Sequence, residues 1–340
     1  MPCWRPAKIF FACAATCRSF LREHKDTAKA VTSHRTPNSG SGVKCAKAIS
    51  VFSVATASVT FSPRPKGFSA ICSDEKSLMV LRMLLEGNSI RSIERMTGVE
   101  KKTITRVLLN AGEHCEQLMT RKIKGVAVKD VEADEIWGFV GCKNRHKLNK
   151  GITDPKLGDA YTWVGIERNT KLVLAWHLGQ RDMTDCEAFT ERLNEATSGY
   201  FQLTTDGYKP YESAVSYSLG TRVDYAMLIK VYGANPDGEQ RYSPPIVVET
   251  ATKIMIGNPD PSRICTSIVE RSNLSMRTSI RRLTRLTNAF SKKWEHLKAM
   301  LAVYFAYYNF CRIHSSIRCT PAMESGLTAH VWSLRDLLAA

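Results

Sequence analysis

Val128-Lys129-Asp130-Val131-Glu132-Ala133-Asp134-Glu135-Ile136-Trp137-Gly138-Phe139-Val140 decides how this chain is read. The run is rich in β-branched and aromatic residues and reads as one long strand. An ionised carboxylate inside such a strand is costly to bury, so Asp134 needs a reason to be there. Side chains alternate along a strand, which predicts that Glu135 faces away from Asp134.

Working downstream, Tyr161–Ile166 and Leu172–His177 read as the next two strands, joined at Arg168-Asn169-Thr170 as a hairpin turn. Residues 182–197 have helical spacing, with Phe189 and Leu193 inward. Phe201–Asp206 is a fourth strand, 208–219 a short helix, and Val223–Val231 a fifth strand. Glycines and prolines then mark 233–266 as an irregular insertion. A long helix follows from about Ser267 towards Arg285, and another from Lys292 to Asn309. Three strands, helix, strand, helix, strand, helix is the order of an α/β ribonuclease-H-like domain, a mixed sheet flanked by helices.

Upstream, Leu78, Val80, Leu81, Leu84 and Leu85 recur at helical spacing until Gly87. Ser89 is placed to cap a second helix with Ile90, Ile93 and Met96 inward, and Gly98-Val99 makes a tight turn. A third helix has Ile104, Val107 and Leu108 inward and Lys101, Lys102, Thr103 and Arg106 free to meet DNA. This all-α grammar is that of a helix-turn-helix. The organisation expected is therefore a basic extension at 1–72, a helix-turn-helix region over 73–122 with 110–122 as connector, a catalytic core over 126–309, and a tail over 310–340.

The 340 residues carry a formal net charge of +16, which points to a polyanionic partner. Residues 1–70 hold eleven Lys/Arg against Glu23 and Asp26, so nine of those charges fall there. Arg5 and Lys8 before Ile9–Ala15 imitate a secretory signal. The stretch is read instead as an unstructured extension from a start set too far upstream, with Met79 a candidate internal start. The eleven cysteines are scattered, with no C-x-x-C pair, and Cys13 and Cys17 have no zinc-ligand partner nearby. Reduced thiols in the cytoplasm are the expectation, and no apolar run is long enough to span a membrane.

The strand order brings Asp134 and Asp206, at the end of the fourth strand, to adjacent strands, with Glu270 on the helix packed across them. Hard divalent cations take carboxylate oxygens, so the three are candidate catalytic residues and ligands for two Mg²⁺ ions, with Mn²⁺ a substitute. Two ions roughly 3.5–4 Å apart activate a water or a 3′-hydroxyl and stabilise the departing oxygen. Singly, each acid has an ordinary explanation, since Asp before Gly marks turns and Glu opens helices. Asp130, Asp154, Asp159 and Asp224 are read as structural or solvated. Arg277, nearly two helical turns beyond Glu270, is expected at the same azimuth. With Arg281, Arg282 and Arg285 it makes a row able to grip phosphates.

Ala133–Val140, Thr205–Tyr208, Val269–Leu274 and Arg285–Ser291 closely resemble the transposase of the IS1 family of bacterial insertion sequences. Tyr307–His314 and Thr320–Glu324 add to the match, which runs from about 78 to 327. The resemblance implies a helix-turn-helix followed by a DDE catalytic core with Asp134, Asp206 and Glu270 as its triad. It implies cleavage at element ends and transfer of the 3′-hydroxyls into target DNA by a homo-oligomer on DNA, at the nucleoid. Asn309, Arg312 and His314 match a recurrent tail motif and are read as DNA-contacting, site-supporting or helix-end packing residues. Two other readings stand beside it: an inactive protein that binds element ends as a repressor, and a nuclease of the same fold without strand transfer.

Overall fold

The computed structural model describes residues 75–233, 247–284 and 287–340. The expectations for 1–72 and for Arg285 lie outside the described residues. Three helices come first: α1 (Glu75–Leu85), α2 (Ile90–Thr97) and α3 (Lys101–Lys122). Ser89 caps α2 by accepting from the Ser92 N–H at 3.1 Å, and Gly98 ends it in the left-handed region at φ 70°. Leu78, Leu81, Ile93, Ile104 and Leu108 form a shared core. Met96, read as inward, is exposed on the last turn of α2, where Ile93 alone is fully buried. The third helix and the connector are one continuous 22-residue helix. A chain beginning at Met79 would lack the first turn of α1 and the buried Leu78.

The sheet elements are β1 (Val126–Ala127), β2 (Asp130–Val140), β3 (Gly158–Glu167), β4 (Val173–Gly179), β5 (Thr197–Ser198), β6 (Phe201–Asp206), β7 (Val223–Tyr232) and β8 (Val247–Ile256). The helices among and after them are α4 (Asn144–Asn149), α5 (Met183–Ala196), α6 (Pro210–Ser218), α7 (Ser267–Ser279), α8 (Trp294–Phe310), α9 (Pro321–Glu324) and α10 (Leu334–Ala339). The main sheet runs β4-β3-β2-β6-β7-β8. β2 is antiparallel to β3 but parallel to β6, and β6 is parallel to β7. This mixed six-stranded sheet flanked by helices is compatible with a ribonuclease-H-like fold.

Two differences from the sequence reading matter. The insertion expected to be irregular contributes β8, a ten-residue strand antiparallel to β7. The helix expected to reach Arg285 stops at Ser279 and gives way to a 3-10 turn over Arg281–Leu283.

Each face of the sheet has its own cover. Trp163 packs against Phe189 of α5 and Tyr211 of α6 on one side. On the other, Trp176 meets Phe305 of α8, and α7 lies over β2. The apolar α8 also packs on α3. A Cβ on Gly112 would sit 2.5 Å from the Ala299 Cα, so the close approach requires glycine there. Asn309 is fully buried in that layer, donating to the Val173 carbonyl at 2.9 Å and accepting its N–H at 3.0 Å. Of the readings for Asn309, the packing one describes what it touches: it serves β4 as a missing neighbouring strand would.

Candidate active site

β2 pairs with β6 only from Asp130 to Ala133, whose partner is Thr205. The next residues are Asp134 and Asp206, so the parallel register sets them side by side on the face that α7 covers. β6 ends there, and among the described residues no strand pairs with that edge of β2 from Asp134 until Val140 bridges Ser291. This is why the alternation argument fails for Glu135. Its backbone does face the α5–α6 side, yet oxygens of Asp134, Glu135 and Asp206 lie within 4.8 Å of one another. That stretch of edge lets carboxylates from both faces reach one gap.

Burial and mutual repulsion raise all three pKa values. Asp134 is pushed from 3.8 up to about 7 by burial first, then by Asp206 and Glu270. Burial, Asp206 and Asp134 hold Glu135 well above the ordinary range. Asp206 is raised by burial against the opposing pull of Arg181. Arg181 lies 3.4 Å from Glu135 and 3.5 Å from Asp206, with its guanidinium carbon 4.1 Å from the Tyr208 ring centre. Asn273 of α7 donates to Asp134 at 2.8 Å. The oxygen-only donor set, crowded and proton-retaining, fits a hard divalent cation, which would relieve the repulsion.

Glu270 sits outside the closest group, its carboxylate held by Lys230 and by the Thr266 hydroxyl at 2.7 Å. It is near enough to raise the pKa of both Asp134 and Asp206. Lys230 stands two residues beyond Leu228, the register partner of Asp206, so it shares that face. The sequence reading missed Arg181 and Lys230. The only signal for Lys230 was a basic side chain in a largely apolar strand.

Glu132 was also missed. It is buried on the α7 face and accepts from Ile268 N at 2.7 Å and Val269 N at 3.1 Å. Thr266, the N-cap residue, caps neither group with its side chain. Glu132 therefore caps α7 from the sheet and fixes the helix carrying Glu270 two residues from Asp134. Glu132→Ala is expected to cost about 1–2 kcal/mol in urea unfolding, the value of a lost cap. Glu132→Gln keeps an acceptor and should unfold at or above the wild-type midpoint. Equal midpoints for Ala and wild type would remove the capping role.

The basic residues divide. Lys101, Lys102, Arg106 and Arg281 are exposed, and Thr103 is half-buried. Arg277 is not turned to phosphate: it donates to the Trp137 carbonyl at 2.9 Å and the Leu283 carbonyl at 3.2 Å, tying β2 to the 3-10 turn. Azimuth placed it correctly, but two backbone carbonyls lie opposite. Arg282 donates to Ser291 at 3.1 Å, and burial pulls its pKa down to about 10. Arg312 is exposed. His314 packs edge-on to Tyr308, with burial and then Lys171, Arg312 and Arg271 lowering its pKa. The acids read as structural are so engaged: Asp130 with Arg263, Asp154 with Lys156 N, Asp159 with Asn144 N, and Asp224 with Tyr200. No described helix is long and apolar enough to cross a membrane.

No family model matches the chain, and no curated protein matches it in sequence. Among solved structures, it is similar to a piggyBac transposase in a synaptic complex with hairpin DNA, at 10% identity and a TM-score of 0.37. That alignment covers 83% of this chain and 72% of the other.

Proposed function

We propose that the chain is a metal-dependent DNA transposase of the DDE type, akin to the IS1 family, that cleaves element ends and joins them to target DNA. The observation that carries the reading is the placing of Asp134 beside Asp206 where β6 ends along β2, facing a helix that bears Glu270. Composition alone would allow any basic DNA-binding protein. A binding protein has no use for acids crowded until one keeps a proton near pH 7.

In this reading Asp134, Asp206 and Glu270 hold the cations, Mg²⁺ by preference and Mn²⁺ as a substitute. When bound, the cations supply activation of the attacking hydroxyl and stabilisation of the departing oxygen. The chain does the rest. Asn273 orients the Asp134 carboxylate, and Arg181 does the same for Asp206 while its own position is fixed by Glu135 and Tyr208. Lys230 holds Glu270 at the rim through their ion pair. Lys101, Lys102, Thr103 and Arg106 on α3 bind the element end, and exposed Arg281 adds a phosphate contact beside the site.

The test uses the full chain with labelled donor DNA carrying the flanking element ends, a target plasmid and Mg²⁺ or Mn²⁺. Joined product that disappears with EDTA is expected. Lys101→Ala/Lys102→Ala/Arg106→Ala should lose end binding and shallow the salt dependence by about one per phosphate contact removed. Tight end binding without cleavage in either metal would instead leave a repressor. Cleavage without joining would leave a nuclease.

A further inference from the structure

We propose that β8 is a dimerisation edge, on which a second copy of this chain pairs antiparallel with its own β8. Exposure supplies the first observation. Residues Val247–Ile254 are all exposed, with Val248 at 68% and Ile254 at 55%. One side of β8 pairs with β7, and among the described residues nothing pairs with the other. A long edge strand with unpaired N–H and C=O groups invites another strand, and proteins that stay monomeric blunt such edges with proline, bulges or several charges. Register shifts at Val248 and Met255 bound the regular run Glu249-Thr250-Ala251-Thr252-Lys253-Ile254, which has no proline and only two charges.

Those two charges make the second observation. They flank Ala251 symmetrically, each two residues away. An antiparallel pairing centred on Ala251 therefore sets Glu249 of each copy opposite Lys253 of the other. The same register sets Thr250 opposite Thr252. Directly opposed residues share a face, so the charged pairs and the threonine pairs segregate to opposite sides of the joined sheet. A shift by two residues would bring Glu249 or Lys253 opposite Ala251, losing both ion pairs. The edge is thus self-complementary in one register, as a two-fold interface requires. Lys253 also bonds Glu212 of α6 at 2.8 Å, which holds its ammonium on the charged face without using all three donors. Glu249 has no ion-pair partner among the described residues. This inference stands independently of the catalytic reading.

Sedimentation of the full chain over a concentration series into the tens of micromolar tests it, with Glu249→Lys and Lys253→Glu alone and mixed. Both substitutions lie on exposed positions, and thermal melts check that each variant folds. Wild type is expected to dimerise. Each variant alone turns two attractive cross-strand pairs repulsive and should dimerise about tenfold or more weakly. An equimolar mixture restores both pairs, so heterodimers should form with near wild-type affinity. A monomeric wild type overturns the proposal, as does a dimer that the single substitutions leave intact or a mixture that fails to recover.

Discussion

Asp134→Asn, Asp206→Asn and Glu270→Gln are each expected to lower the joining rate by about 10³-fold or more, with element-end binding retained. Losing one arm of a charge-stabilising site has a cost of this order. In the proposed reading end binding rests on the exposed Lys101, Lys102 and Arg106 of α3, whereas the basic partners of Asp206 and Glu270 are Arg181 and Lys230. Glu135→Gln decides what the fourth acid does. Its carboxylate is only 2% exposed and is paired with Arg181, whereas Asp206 and Glu270 are 35% and 41% exposed and open to an incoming cation. We therefore assign Glu135 the placing of Arg181, and through it of Asp206. Losing such an outer partner typically costs about 10–100-fold. Single-turnover cleavage at saturating Mn²⁺ separates the cases. A loss for Glu135→Gln equal to that for Asp134→Asn, with Glu270→Gln near wild type, would exchange the roles of the two glutamates.

What the sequence made legible follows from which physics is local. Period-two alternation and the Asp206-Gly207 turn locate the strands and place Asp206 at a strand end, and five strands in order then imply that β2 and β6 are neighbours. Glu135 escaped because its membership depends on where β6 stops, a property of another element. Arg277 escaped because helical azimuth says where a side chain points and nothing about the carbonyls of Trp137 and Leu283 waiting there. Asn309 was ambiguous for the same reason: its partner, Val173, is remote in sequence, and a buried amide looks like a DNA-contacting one. The flanking glycines and prolines hid β8, since punctuation at 233–246 and 257–261 outweighed the β-branched run between. Glu132 went unread because the backbone groups that it accepts from, Ile268 and Val269, lie more than 130 residues away in sequence.

Asp134→Asn is also expected to melt higher than wild type at pH 8 without divalent cations, although it is inactive. The native carboxyl is raised from 3.8 to about 7, so between those values the folded chain keeps a proton that the unfolded chain has released. Stability from this group is present below 3.8 and is lost as pH rises through 7. Full ionisation of the native site then costs about 4 kcal/mol. Asn bears no charge and avoids the cost, and the neighbouring Glu135 and Asp206 are relieved of its repulsion. The gain should be on the order of 5–10 °C in Tm at pH 8 and shrink as pH falls towards 5. The pKa values of His296 and His314 are lowered by burial and move stability the opposite way in acid, but equally in both proteins, so the difference isolates Asp134. Mn²⁺ should raise the wild-type Tm at pH 8 by mass action and leave the variant nearly unmoved. A variant that melts below wild type at pH 8 in EDTA would mean that Lys230 and Asn273 already balance the charge. The acidic gap would then be a finished structural feature, with no cation to wait for.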